Sequence, residues 1–338
     1  MNELFPSPTV GRFGRRQKRE RGARMPVTVL TGFLGAGKTT LLKRFLATPD
    51  GAGTAVVVNE FGAVGIDDTL LRASADQTVL LGNGCVCCNT RSDLQIALRR
   101  LVAERERGEI PDFRRIVIET SGLADPSPIL QTFATDRALG EEFHLELVAT
   151  VVDAAAGKAT LDWSAEARKQ AILADMLVVT KSDIADETAT AALVAQLRAL
   201  NAHAAIETAV NGALDPRRLI GPHSGDRSAF VAELSHSDGI LSFVLSESAP
   251  ISWNTFARAM DTLVALRGAD LLRVKGFLNV EGCSGPVVVQ FVQHLAHPAV
   301  ELAAWPDGER ASRMVFITRN IPERQVRDLF AAVRALAR

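Results

Sequence analysis

No apolar run in this 338-residue chain approaches the roughly 18 residues needed to span a bilayer, and even Leu145 to Ala156 is broken by Glu146 and Asp153. The sequence therefore predicts no membrane-spanning helix and no membrane partner. A basic surplus is missing too: 38 Lys and Arg face 39 Asp and Glu, a formal net charge of −1 that argues against a general nucleic-acid binder. Partners must come from sites rather than bulk charge. Cysteine is sparse, with four in all, and the arrangement of three clustered residues plus Cys283 alone does not resemble a disulfide framework. A reducing compartment, the cytoplasm, is the expected location. There is no internal repeat, and no low-complexity tract outside the N-terminus. What remains is a chain with 47% hydrophobic residues, enough to build a full-sized α/β domain and a smaller second one.

Residues 1–24 stand apart, with Arg12, Arg15, Arg16, Lys18, Arg19, Arg21 and Arg24 set against Glu3 and Glu20. They read as a disordered basic tail or as a mis-called start, because Met25-Pro26 directly precedes the first strand. From 25 to 220, short β-branched runs alternate with amphipathic helical runs, the pattern of a doubly wound parallel sheet covered on both faces. Strands are expected at Val27-Thr31, Thr54-Asn59, Thr78-Leu81, Arg115-Glu119, Leu145-Val152, Met176-Thr180 and Ala204-Thr208. Helices are expected at Gly37 to Leu46, Arg91 to Arg107, Ser127 to Phe133, Ala165 to Ala174 and Glu187 to Leu200. Residues 221–238 read as a linker rich in Gly, Ser, His and Asp. Residues 239–338 form the second domain, with strands Ile240-Leu245, Leu271-Leu278, Pro286-Leu295 and Met314-Thr318 and helices Trp253-Leu266 and Glu323-Ala337. That order predicts an α+β sandwich with helices on one face.

Gly32-Phe33-Leu34-Gly35-Ala36-Gly37-Lys38-Thr39 matches the phosphate-loop (P-loop) pattern and stands after a strand and at the opening of a helix. Glycines at 32, 35 and 37 let backbone N–H groups, including those of Ala36 and Thr40, turn towards phosphates, and the helix N-terminus adds partial positive charge. Lys38 should reach the β- and γ-phosphates, and Thr39 should offer its hydroxyl to Mg²⁺. Ile116 to Gly122 supplies an acid after an apolar run, so Glu119 is the second Mg²⁺ candidate and Gly122 lies near the γ-phosphate. Lys38, Thr39 and Glu119 are the catalytic candidates of a P-loop NTPase.

The base is read from Thr180-Lys181-Ser182-Asp183. Asp183 can accept from N1–H and the exocyclic amine of guanine, a pair of donors that adenine does not present, and the Lys181 stem can lie along the base. Thr180 replaces the Asn common at this position in guanine-nucleotide switches. GTP is favoured over ATP.

Gly84-Cys85-Val86-Cys87-Cys88 places three thiols within one turn, soft ligands for Zn²⁺ and other late transition metals. No second cysteine pair completes a structural zinc site, which leaves room for another ligand and suits transfer over storage. Glu60, in Asn59-Glu60-Phe61-Gly62, is the candidate extra ligand, its alternative being a solvated carboxylate. A redox pair is the rival reading of the thiols, although a disulfide between adjacent Cys87 and Cys88 would be strained.

Together these motifs resemble the CobW/HypB/UreG family of metal-related phosphate-loop GTPases, most closely its CobW-like branch. The matching segments are residues 31–40, 58–62, 84–88, 119–126 and 180–183, with Leu272-Arg273-Val274-Lys275-Gly276 similar to the signature of the family's C-terminal domain. The resemblance implies a Mg²⁺-dependent GTPase of low turnover, binding Zn²⁺, or cobalt, nickel or iron, at the cysteine motif and delivering it to a client metalloprotein. It also implies that the loop from Glu60 through Asp67 and Asp68 rearranges with nucleotide state, and that the C-terminal domain serves client recognition or homodimerisation. Two departures stand out. Ala63 replaces an acidic residue frequent in relatives, and the His-rich storage tract is missing, leaving His223 and His236 scattered. Two other readings compete: a nucleotide switch whose zinc is structural and which regulates a partner, and an ATP-using phosphate-loop enzyme such as a small-molecule kinase.

Overall fold

The computed structural model describes residues 24–59, 79–81, 91–220, 234–235, 239–292, 295–297, 299–305 and 310–336. The chain divides into two compact units, Met25–Ala229 and Phe230–Arg338. In the first, β1 (Met25–Gly32), β2 (Thr54–Asn59), β3 (Val79–Leu81), β4 (Arg115–Thr120), β5 (Phe143–Asp153), β6 (Met176–Thr180) and β7 (Ala205–Ala209) form one sheet. Its order is β3-β2-β4-β1-β5-β6-β7, and every pairing is parallel. Strands of such a sheet are buried on both faces, which is why they read as unbroken Val/Ile/Leu runs; β6 is buried at every position. β2, β3 and β4 lie on one side of β1, and β5 to β7 lie on the other. The crevice beyond the C-terminal end of β1 is therefore a topological switch point, where α/β sheets bind ligands.

The helices of this unit are α1 (Lys38–Leu46), α2 (Arg91–Glu106), α3 (Ser127–Thr135), α4 (Arg137–Glu142), α5 (Gly157–Trp163), α6 (Ala165–Ile172) and α7 (Glu187–Leu200). α1 buries Leu41, Leu42, Phe45 and Leu46 against Leu30, Val56, Val117, Val151 and Val178 of the sheet. Each such side chain contributes about 1.5–3 kcal/mol. Two helices go beyond the sequence reading. The α4 sequence has no apolar period; it forms because Asp136, held by Arg99 at 2.6 Å, caps it by accepting from the Ala138 and Leu139 amides. α5 opens on Gly157 and buries only that residue and Leu161, too short a stripe to show helical spacing.

The second unit contains β8 (Leu234–Ser235), β9 (Ile240–Glu247), α8 (Trp253–Arg267), β10 (Leu271–Leu278), β11 (Val287–Val292), β12 (Leu295–Ala296), β13 (Val300–Glu301), β14 (Ser312–Arg319) and α9 (Glu323–Leu336). β9 and β10 both pair antiparallel with β14, so they run parallel to one another and α8 crosses between them. α8 and α9 share one core with the sheet, including Phe243, Leu245, Phe256, Met260, Val274, Phe291, Phe316 and Phe330. Phe243 and Phe316 stack within it at 5.4 Å. Three details differ from the sequence reading, the first being the short strand β13, which pairs with β11. The run expected as one strand from Pro286 to Leu295 ends at Val292, and Leu295–Ala296 returns to pair with β11. Leu234–Ser235, inside the stretch read as a linker, adds an edge strand to β9. Among the described residues no helix is long and apolar enough to cross a membrane.

His297 follows β12, with its Nε2 buried and no hydrogen-bond partner for it among the described residues. Its pKa is pushed down from 6.5 to about 3, by burial first and then by cationic neighbours including Arg273 and Lys275. The unfolded chain takes up a proton near pH 6.5 that the folded chain refuses, so stability is lost as pH falls from that value towards 3. Replacing His297 by Leu should make the thermal midpoint less sensitive to a change from pH 7 to pH 5. Equal loss in both proteins would show that His297 ionises freely in the fold.

Candidate nucleotide site

The phosphate loop leaves β1 at Gly32, where the backbone has φ 141° and a side chain has no room: an added Cβ would sit 2.2 Å from the Val151 carbonyl oxygen. That contact seats the loop against β5 and explains the first glycine of the motif. Gly35 and Gly37 also adopt positive φ, and Gly37 serves as N-cap of α1. No side chain caps α1 and no acid stands in its first turn, so its leading N–H groups face the crevice with their partial positive charge intact. Lys38 is buried in the loop and its ammonium donates to the carbonyls of Gly32 at 2.9 Å and Phe33 at 3.2 Å. The hydroxyl of the next residue, Thr39, donates to Glu119 Oε1 at 2.6 Å.

Glu119 is 5% exposed near the end of β4, and the neighbouring Thr120 hydroxyl donates to Thr31 Oγ1 at 2.8 Å, tying the ends of β4 and β1 together. Beyond it, Gly122 packs its backbone on the phosphate loop: a Cβ there would lie 2.6 Å from the Leu34 amide nitrogen. A cavity of about 280 Å³ is lined by Leu34, Gly35, Gly37, Lys38, Thr39, Thr40, Val58, Glu119, Thr120, Ser121 and Gly122. The structure thus brings the loop residues, Lys38, Thr39, Glu119 and Gly122 to one place.

Thr180, at the end of β6, is buried, and its hydroxyl donates to the Ala36 carbonyl at 2.7 Å. The residue that departs from the common Asn is thereby joined to the phosphate loop, a role its position in the sequence did not disclose. Lys181 follows in left-handed conformation, φ 59°, and its ammonium pairs with Asp153 Oδ2 at 2.6 Å. Asp153 Oδ1 in turn accepts from the Ala155 and Ala156 amides. Asp183 is exposed on the turn that follows, where the Ile184 and Ala185 amides donate to the Lys181 carbonyl. Asp153 was missed in the sequence, although an acid closing an apolar strand is the same signal that marked Glu119.

A model of the CobW/HypB/UreG nucleotide-binding domain matches residues 26–208, which include every described site residue from Gly32 to Asp183. The chain belongs to the CobW/HypB/UreG family. The cobalamin synthesis protein cobW C-terminal domain matches residues 240–334. The chain is 36% identical over 318 residues to the zinc chaperone YjiA of Escherichia coli K12, covering 91% of this chain and 98% of that protein. It is 30% identical to the zinc chaperone CobW of a Sinorhizobium species, covering 94% and 99% of the two chains. The crystal structure of Zn(II)-bound YjiA GTPase from E. coli superposes with a TM-score of 0.66 at 31% identity, covering 92% of this chain and 99% of that one.

In this CobW/HypB/UreG chain the transition-metal candidates Cys85, Cys87, Cys88 and Glu60 lie outside the described residues, as do Ala63, Asp67, Asp68, His223, His236 and the basic tail 1–23. Among the described residues no group of three or more His, Cys, Asp or Glu side chains could hold a metal ion.

Replacing Thr180 by Val removes the donor to Ala36 and leaves a buried carbonyl unpaired, a cost of about 1–3 kcal/mol. Part of that cost should appear as weaker binding of GDP, by about tenfold at most, and Thr180→Ser should retain affinity. Calorimetry that finds the Val variant binding like the unsubstituted protein would detach the base turn from the phosphate loop.

Proposed function

We propose that this chain is a GTP hydrolase that acts as a zinc chaperone, its metal affinity set by nucleotide state and its cargo passed to a client metalloprotein. The observation that carries the reading is the meeting of Thr39 and Glu119, 2.6 Å apart, beside the Lys38 loop that Thr180 joins to the Asp183 turn. Similarity to the zinc chaperone YjiA over nearly the whole length of both proteins supports zinc as the cargo.

The loop amides and the N-terminus of α1 bind the phosphates, and Lys38 moves its three donors from the Gly32 and Phe33 carbonyls to the β- and γ-phosphate oxygens. Asp183 accepts from the guanine edge while the Lys181 stem, anchored at its tip by Asp153, lies along the base. Gly122 presents its amide at the γ-phosphate end. Hydroxyl and carboxylate are hard oxygen donors, so the Thr39–Glu119 pair fits Mg²⁺, and these two residues would hold it. When bound, the ion offsets charge on the transferred phosphoryl group. For the cargo, spacing in the sequence supports the thiolates of Cys85, Cys87 and Cys88 with Glu60 as the added ligand. The C-terminal unit contributes to client recognition or dimerisation.

Zinc affinity measured with GDP and with a non-hydrolysable GTP analogue should differ, and zinc must then change the affinity for the analogue relative to GDP by the same factor. Equal zinc affinities in the two states would sink the coupling. Changing Cys87 and Cys88 to Ser should weaken zinc binding at least about tenfold with GDP affinity unchanged; retained zinc affinity would reject the thiol site.

The base reading has its own test. Asp183→Asn exchanges an acceptor for a donor, so GTP affinity should fall by about 1.5–3 kcal/mol while affinity for xanthosine triphosphate, which carries a carbonyl in place of the amine, should rise. A variant that binds GTP normally would remove Asp183 from the site.

A further inference from the structure

We infer that Gln170, on α6, is a positioning residue for GTP hydrolysis that acts through the loop carrying Gly122. The inference rests on the GTPase reading above. Gln170 is 1% exposed, lies outside the phosphate cavity, and donates from Nε2 to the carbonyls of Gly122 at 3.2 Å and Ala124 at 3.0 Å. Two carbonyl acceptors on one amide nitrogen fix which end is nitrogen, since the reverse placement would set oxygen against oxygen.

The segment it holds is a turn closed by the Ala124 amide donating to the Ser121 carbonyl. A peptide group is planar and trans, so fixing the Gly122 carbonyl on α6 directs the Leu123 N–H away from that helix. With the Gly122 backbone already packed against Leu34, the turn has little freedom to rotate. The adjacent residue of α6 secures the far end: Lys169 pairs with Asp125 Oδ2 at 2.5 Å, and Asp125 Oδ1 accepts from the Ser127 amide that starts α3.

Packing alone would not select glutamine here. Its Oε1 is buried with no hydrogen-bond partner among the described residues, a cost that Leu or Met would avoid while filling similar space. The amide nitrogen is what the site uses, and its effect is on the loop at the γ-phosphate end, far from the base.

Steady-state hydrolysis by Gln170→Leu should show kcat reduced about 10- to 100-fold, with GDP affinity kept within about twofold, because GDP lacks the phosphate this loop faces. Amide hydrogen exchange over 121–126 should speed up in the variant. Gln170→Glu should be slow at pH 8, where its carboxylate opposes two carbonyls, and should regain rate as acidification restores an O–H donor, a pH profile that the unsubstituted protein lacks. Unchanged kcat in Gln170→Leu, or a loss matched by equal loss of GDP affinity, would overturn the assignment. Absence of GTP hydrolysis in the unsubstituted protein would instead overturn the GTPase reading, and this assignment with it.

Discussion

The hydroxyl of Thr180 resting on the Ala36 carbonyl is the joint on which the candidate site depends, because it fixes the end of one sheet strand to the loop that leaves another. The distance between the Asp183 turn and the phosphate loop is thereby set by the sheet and not by flexible side chains. Two backbone contacts reinforce it. Gly32 lies so close to Val151 that the loop cannot lift from β5, and Gly122 lies so close to Leu34 that the loop after β4 follows the phosphate loop. Both depend on the missing Cβ, and both occur where parallel strands end at the switch point.

Electrostatics follows from that geometry. The crevice holds a buried ammonium, the open N-terminus of α1 and one nearly buried carboxylate, Glu119, which meets the Thr39 hydroxyl. An anionic phosphate chain suits the first two, and a hard cation suits the third. The ion pair of Asp153 with Lys181 serves geometry instead: the ammonium is held so that the stem, on a residue already in left-handed conformation, has a defined course.

The sheet was legible in the sequence because parallel strands buried on both faces carry continuous apolar runs, as Met176–Val179 and Ile116–Ile118 do. The positions of the site motifs were legible for a related reason: each follows such a run. α4 and α5 were not legible, since one owes its existence to the Asp136 cap and the other to a single buried Leu161. Within the candidate site, Lys38, Thr39 and Glu119 announce themselves by residue type and spacing. Gln170 does not, because its partners lie 46 and 48 residues away and are backbone carbonyls, which leave no trace in side-chain pattern.

That distance explains why α6 matters more than its eight residues suggest. Its C-terminal end is secured by Asn201, whose amide donates to the carbonyls of Ala171, Ile172 and Ala174, satisfying groups that a helix end leaves open. Asp175, just beyond, accepts from the Val148 amide through its carboxylate and donates its own amide to the Val148 carbonyl, pinning the chain to β5 before β6 begins. A helix fixed in this way is a rigid reference. From it, Gln170 and Lys169 hold the loop after β4, and within a few residues the same segment becomes the strand that leads to Thr180, Lys181 and Asp183. The loop after β4 and the Asp183 turn are thus referred to one element, so a shift of that loop must either break the Gln170 hydrogen bonds or move α6 against Asn201. The first costs less, since it exchanges two hydrogen bonds where the second would expose three helix-end carbonyls. The loop after β4 can therefore shift with α6 and the Asp183 turn left in place.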